Sequence, residues 1–107
     1  MYILAITSCP VGIAHTYMAA ANLQKAAKKR GVEIKIETQG AEGPENVITM
    51  DDIRRADGAI IASDVKIKNP ERFEGGIPVL ECRVQEAVKN GLGLVDELLE
   101  ALEDMKK

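Results

Sequence analysis

The sequence predicts an α/β fold in three layers, a four-stranded parallel sheet of spatial order 2-1-3-4 with helices on both faces. Three observations carry this expectation. Residues 2–7 and 59–62 are short and apolar at almost every position, the pattern of strands covered by helices on both sides. Strand-like and helical segments alternate in the order βαβαβαα, which right-handed crossovers turn into a parallel sheet. The chain has 107 residues, 46% of them apolar, enough for one core that needs no disulfide or metal to hold it.

The first strand, residues 2–7, runs into Ser8-Cys9-Pro10-Val11-Gly12 and then into a helical pattern in which Ile13, Tyr17, Ala20 and Ala27 recur at about 3.6 spacing. Lys28, Lys29 and Arg30 followed by Gly31 end that helix, with cations against the negative end of its dipole and a φ-permissive residue beyond it. Residues 32–38 alternate, Val32, Ile34 and Ile36 on one face and Glu33, Lys35 and Glu37 on the other. This is the pattern of a half-exposed strand at a sheet edge. After a loop with Gly40, Gly43 and Pro44, Thr49 and Asp52 form a capping-box signature for a short helix with Met50, Ile53 and Ala56 inward, ended at Asp57-Gly58.

Residues 59–62 form the third strand and residues 77–80 the fourth. Pro78 confines the fourth to an edge or to a strand start, because proline cannot donate to the ladder. Val84, Ala87 and Val88 mark a short helix, and Leu94, Val95, Leu98, Leu99 and Leu102 an amphipathic terminal one, with Gly91 and Gly93 between them. The whole reads as one Rossmann-like domain over residues 1–107. Strands one and three are central, so the winding direction reverses between them. Ligands of open parallel sheets bind beyond the carboxyl ends of the strands at such a point. The loop leaving strand one carries Cys9.

Composition excludes several function classes. Fourteen basic against seventeen acidic side chains give a net charge of -3, and three aromatic residues make no stacking surface for nucleic acid. The longest apolar runs fall far short of the ~18 residues of a membrane span, and no basic region precedes the first strand, so a cytoplasmic chain is expected. The two cysteines lack metal-ligand spacing and there is a single histidine, so neither a metal nor a cofactor is expected. Cys82 has no distinctive neighbourhood and reads as an inert thiol.

Cys9 differs, because it follows a buried strand and precedes the first turn of a helix whose free N–H groups point outward. An ordinary thiol with a pKa of ~8.5 is only about 3% thiolate at pH 7, whereas cysteines at helix N-termini fall to roughly 3.5–7.5. The same N–H groups can wrap a phosphoryl group on Cys9. Gly12 then permits close approach, Pro10 limits the loop, and His15 and Thr16 add side-chain donors. The spacing Cys9-x5-His15-Thr16 resembles the phosphate loop of low-mass tyrosine phosphatases, with His15 where those carry Arg. Without the guanidinium clamp hydrolysis is disfavoured, which suits a protein that passes its phosphoryl group on.

The run Ser8-Cys9-Pro10-Val11-Gly12-Ile13-Ala14-His15-Thr16-Tyr17-Met18-Ala19-Ala20 resembles the active-site segment of the fructose-family enzyme IIB components of the bacterial phosphoenolpyruvate-dependent sugar phosphotransferase system. The resemblance continues through Glu37-Thr38-Gln39-Gly40, Asp57, Ala62-Ser63-Asp64 and Arg72-Phe73. It implies that Cys9 accepts a phosphoryl group from a phosphohistidine on a IIA partner. It further implies that Cys9 donates this group to a sugar, fructose or a related hexose or hexitol, held by a membrane-embedded IIC permease, with the chain associating with the permease at the inner face. Residues 10–16 are then the phosphate-binding segment: Pro10, Val11, Gly12, Ile13, Ala14, His15 and Thr16. Val11 departs from the Thr usual in that family, so one hydroxyl donor is missing. Gln39, Gly40 and Asp64 follow strand ends on the same side and are expected at the site border. Asp64 alternatively only caps the next turn. The competing functions are a low-mass cysteine phosphatase and a non-catalytic regulatory module.

Overall fold

The structure is a computed structural model that describes residues 1–8, 14–40, 43–74 and 76–105. Among the described residues nine elements follow one another: β1 (Tyr2–Ser8), α1 (Ala14–Lys29), β2 (Glu33–Gly40), β3 (Gly43–Glu45), α2 (Met50–Arg55), β4 (Gly58–Ser63), a 3-10 turn (Pro70–Phe73), β5 (Val79–Cys82) and α3 (Val84–Met105). The sheet order is β3-β2-β1-β4-β5, and β1, β2, β4 and β5 are parallel. The expected order 2-1-3-4 is therefore present in these four strands. The expected count of four is corrected to five, because β3 adds an antiparallel pairing along Thr38, Gln39 and Gly40. Three residues that include Pro44 leave no alternation by which such a strand is recognised.

Alternation along β1 divides the core. Ile3 and Ala5 pack with Ala19, Leu23 and Ala26 of α1 and with Val84, Ala87, Val95, Leu98 and Leu102 of α3. Leu4 and Ile6 point to the opposite face, against Ile48, Ile53, Ala56, Ile67 and Phe73. The buried residues of α1 are Thr16, Ala19, Leu23, Ala26 and Ala27; of the expected inward positions Ala27 is buried, Ala20 is half-buried, Tyr17 is exposed and Ile13 lies outside the described residues. Alanines on both sides of the helix left its apolar periodicity ambiguous.

Local signals account for the element ends. Gly31, at φ 71°, closes α1 in a left-handed turn, with the Val32 N–H donating to the Ala27 carbonyl. Thr49 caps α2 reciprocally with Asp52, although Met50 points to solvent and not inward. Pro78 stands just before β5, an edge strand. α3 is helical on both sides of Asn90, whose φ of -149° breaks it into the two expected helices. Asn90 Oδ1 accepts the Gly93 N–H, and the Asn22 side chain of α1 donates to the Val88 carbonyl beside the break.

Candidate functional site

β1 and β4 are the two inner strands of the parallel four, and the point where the winding reverses lies between their carboxyl ends. Cys9, Pro10, Val11, Gly12 and Ile13 lie outside the described residues, between Ser8 at the end of β1 and Ala14 at the start of α1. Ser8 and Ala14 flank this segment. On the strand side, Ser8 Oγ donates to the Gln39 carbonyl at 3.2 Å, and the Asp64 N–H reaches the Ser8 carbonyl at 3.4 Å. On the helix side, the first turn of α1 holds no acidic residue. Its positive end is therefore unneutralised by its own helix.

Thr16 stands in that first turn, fully buried, and its Oγ1 has no hydrogen-bond partner; Thr7 Oγ1, near the end of β1, is in the same condition. A buried hydroxyl without a partner costs about 1–3 kcal/mol. Both hydroxyls stand in the elements that flank residues 9–13, at the end of β1 and the start of α1. His15 is exposed at the same helix end.

A second polar cluster lies behind the carboxyl end of β2. Glu37 is 1% exposed, although its strand position had suggested the solvent face. The Arg72 guanidinium grips it with both ends, Nη1 to Oε1 at 2.7 Å and Nη2 to Oε2 at 3.1 Å. Gln39 Nε2 donates to Oε2 at 2.6 Å and the Ile48 N–H to Oε1 at 2.7 Å. Burial pushes the Glu37 carboxyl up, and the Arg72, Gln39 and Ile48 hydrogen bonds more than reverse this, leaving it below its ordinary value. Arg72 also donates to the carbonyls of Asn69, Ile48 and Lys68, so all five of its N–H groups are engaged. It is therefore not available to clamp a phosphate in place of the missing arginine.

The remaining expected border residues have structural partners. Gln39 is buried and its Oε1 accepts the Lys68 N–H at 2.8 Å, which ties the loop after β4 to the end of β2. Gly40 pairs with Gly43 of β3. Asp64 Oδ1 accepts the Val84 N–H at 3.2 Å, capping the first turn of α3, with Arg83 at 3.5 Å. Cys82 lies apart from this segment at the end of β5, and burial, followed by Glu86 and Glu97, pushes its thiol up to about 11. A groove of about 750 Å³ between Ile61, Ser63 and Val79 of the sheet and Lys66, Ile67 and Phe73 opens on the face away from α1. Thr7, Glu37 and Arg72 were not singled out as site or scaffold residues in the sequence. For Glu37 the only hint is a charged side chain within a strand of otherwise regular alternation.

Comparisons with known proteins identify the family. Residues 4–97 match the family model described as PTS system, Lactose/Cellobiose specific IIB subunit. The chain is 44% identical over 96 residues to the PTS system fructose-like EIIB component 2 of Escherichia coli K12, covering 90% of both chains. It is 43% identical over 100 residues to fructose-like EIIB component 1 of the same organism, covering 94% of this chain and 92% of that one. Among solved structures, the Enzyme IIB subunit of the PTS system from Escherichia coli K12 superimposes with a TM-score of 0.91 at 40% identity, covering 99% of this chain and 97% of that one. The chain belongs to the IIB family of the sugar phosphotransferase system, as a IIB component of fructose-like type. It is a phosphotransferase.

Proposed function

We propose that Cys9 is the phosphoryl carrier of this domain, taking its group from a phosphohistidine on a IIA partner and passing it to a sugar bound by a IIC permease. The thiolate attacks phosphorus, the N–P bond of the phosphohistidine breaks and an S–P bond forms. In the second step a sugar hydroxyl attacks, its proton leaves to solvent or a base, and the S–P bond breaks to regenerate the thiolate. One observation carries the reading: the Ser8–Ala20 segment spans the end of β1 and the start of α1. There a helix end free of acidic residues and the unpartnered Thr16 hydroxyl await an anion.

Pro10 to Thr16 form the phosphate-binding segment in this reading, mostly through backbone N–H groups, and Gln39, Gly40 and Asp64 support its border. The engagement of every Arg72 donor favours a carrier over a phosphatase, since no guanidinium of that residue is spare to stabilise attack by water. One relative, the 2-O-alpha-mannosyl-D-glycerate-specific EIIABC component of Escherichia coli K12, is 45% identical over 97 residues that make up 15% of its length. Its name joins A, B and C components in one chain, in line with IIA and IIC partners here. Among the described residues no helix is long and apolar enough to cross a membrane. In this reading residues 1–107 form a single domain and the permease is a separate unit. Fructose or a related hexose or hexitol is the proposed acceptor.

The test supplies phosphorylated IIA and membranes bearing a fructose-like IIC, and follows the phosphoryl group. Sugar phosphate formed only with the domain, the membranes and a hexose or hexitol together supports the reading. Release of inorganic phosphate without sugar, or turnover of an aryl phosphate, would contradict it.

A further inference from the structure

The row Ile3, Ala5, Thr7 on β1 faces α1, and the row Leu23, Ala19, Thr16 on α1 faces β1. The crossover from β1 to the parallel β2 makes α1 run back along the sheet, so its N-terminal turn lies over the carboxyl end of β1. The apolar parts of the two rows pack together in one core. Each row ends, at the same edge of that layer, in a threonine that is 0% exposed with an unpartnered Oγ1. Across the ladder Thr7 has Thr38 on one side and Ala62 on the other, and neither gives its hydroxyl a hydrogen bond. Valine has nearly the volume of threonine and carries no hydroxyl to leave unpaired, so it would cost less at both positions if packing were all they served.

We propose that Thr7 is a positioning residue of the phosphoryl site, acting with Thr16: the two hydroxyls are donors left unpaired by the fold and used by the charge on Cys9. In the sequence Thr7 lies two residues before Cys9 and Thr16 seven after it, on the strand and the helix that flank residues 9–13. A thiolate accepts both, and so does a phosphoryl group with its several oxygens. The inference rests on the assignment of Cys9 as the carrier, and its test separates the two.

The variants are Thr7→Val and Thr7→Ser, both in a Cys82→Ala background so that one thiol remains. Three quantities are measured: the melting temperature, the pH dependence of iodoacetamide alkylation of Cys9, and the rate of phosphoryl uptake from phosphorylated IIA. For Thr7→Val the expected result is an unchanged or higher melting temperature and a Cys9 pKa raised by about one unit. Uptake slows about tenfold or more. Thr7→Ser, which keeps the hydroxyl, restores both to within about twofold. A lower melting temperature with an unchanged alkylation profile makes the hydroxyl structural and overturns the proposal, as does a Val variant identical to its parent in all three. If the parent itself takes up no phosphoryl group, the carrier reading fails, while the alkylation profile still decides whether Thr7 acts on the thiolate.

Discussion

At the scale of single residues, the two cysteines show how position sets chemistry. Cys82 is half-buried at the end of an edge strand, beside Glu86 and Glu97, and its thiol is pushed up to about 11. Cys9 stands between the end of a central strand and a helix start with no acidic residue. At pH 7 iodoacetamide is therefore expected to modify Cys9 alone, and Cys82 follows only as the pH approaches 11, which peptide mapping across a pH series checks. Equal rates at neutral pH would show that the α1 terminus does not activate its thiol. The sequence singles out Cys9 by its place in the strand-loop-helix pattern, and Cys9 itself lies outside the described residues. Thr7 was not legible, because a threonine in a strand looks like any other, and only the missing partner marks it.

Elements were legible where a capping residue, a glycine or a proline punctuates them, and obscure where tertiary partners decide. The Thr49-Asp52 box was readable, but not that Asp52 also takes Lys35 Nζ at 2.6 Å and the Tyr2 hydroxyl at 3.2 Å. The Lys35 hydrogen bond, with those from Thr49, holds the Asp52 carboxyl far below its ordinary range, and Glu37 is also lowered. Folded carboxyls with depressed pKa values contribute stability that is complete above the unfolded value near ~4 and disappears as pH falls through the folded values. Asp52→Asn is thus expected to lower the melting temperature at pH 7 and to flatten its decline below pH 4, seen by calorimetry. A parallel acid limb in the variant would remove Asp52 from this role. At the break in α3, the added methyl of Gly91→Ala meets the Asn22 backbone carbonyl at 3.1 Å. Helix propensity alone predicts a gain of about 1 kcal/mol for that substitution. The crowding predicts a loss of about 1–2 kcal/mol in chemical denaturation, because both elements are held there by the Asn22 bond to Val88.

For the whole molecule, strand order followed from which segments are apolar on both faces, and the topology then located the switch point before any side chain was placed. The additional strand β3 and the Glu37–Arg72 clamp escaped that reasoning, since one depends on three residues and the other on a pairing between positions 35 apart in sequence. The clamp holds the loop after β4 against the ends of β2 and, through Ile48, the approach to α2. Hydrogen bonds thereby tie together the loop after β4, the end of β2 and the approach to α2 at the carboxyl edge of the sheet. The most direct measurement is intact-mass spectrometry at neutral pH after mixing the domain with phosphoenolpyruvate, the general phosphocarriers and a IIA domain, with Cys9→Ser alongside. One added phosphoryl group on the parent, absent from the Ser variant, is the predicted result. No adduct on the parent, or the same adduct on both proteins, would contradict the assignment of Cys9 as the carrier.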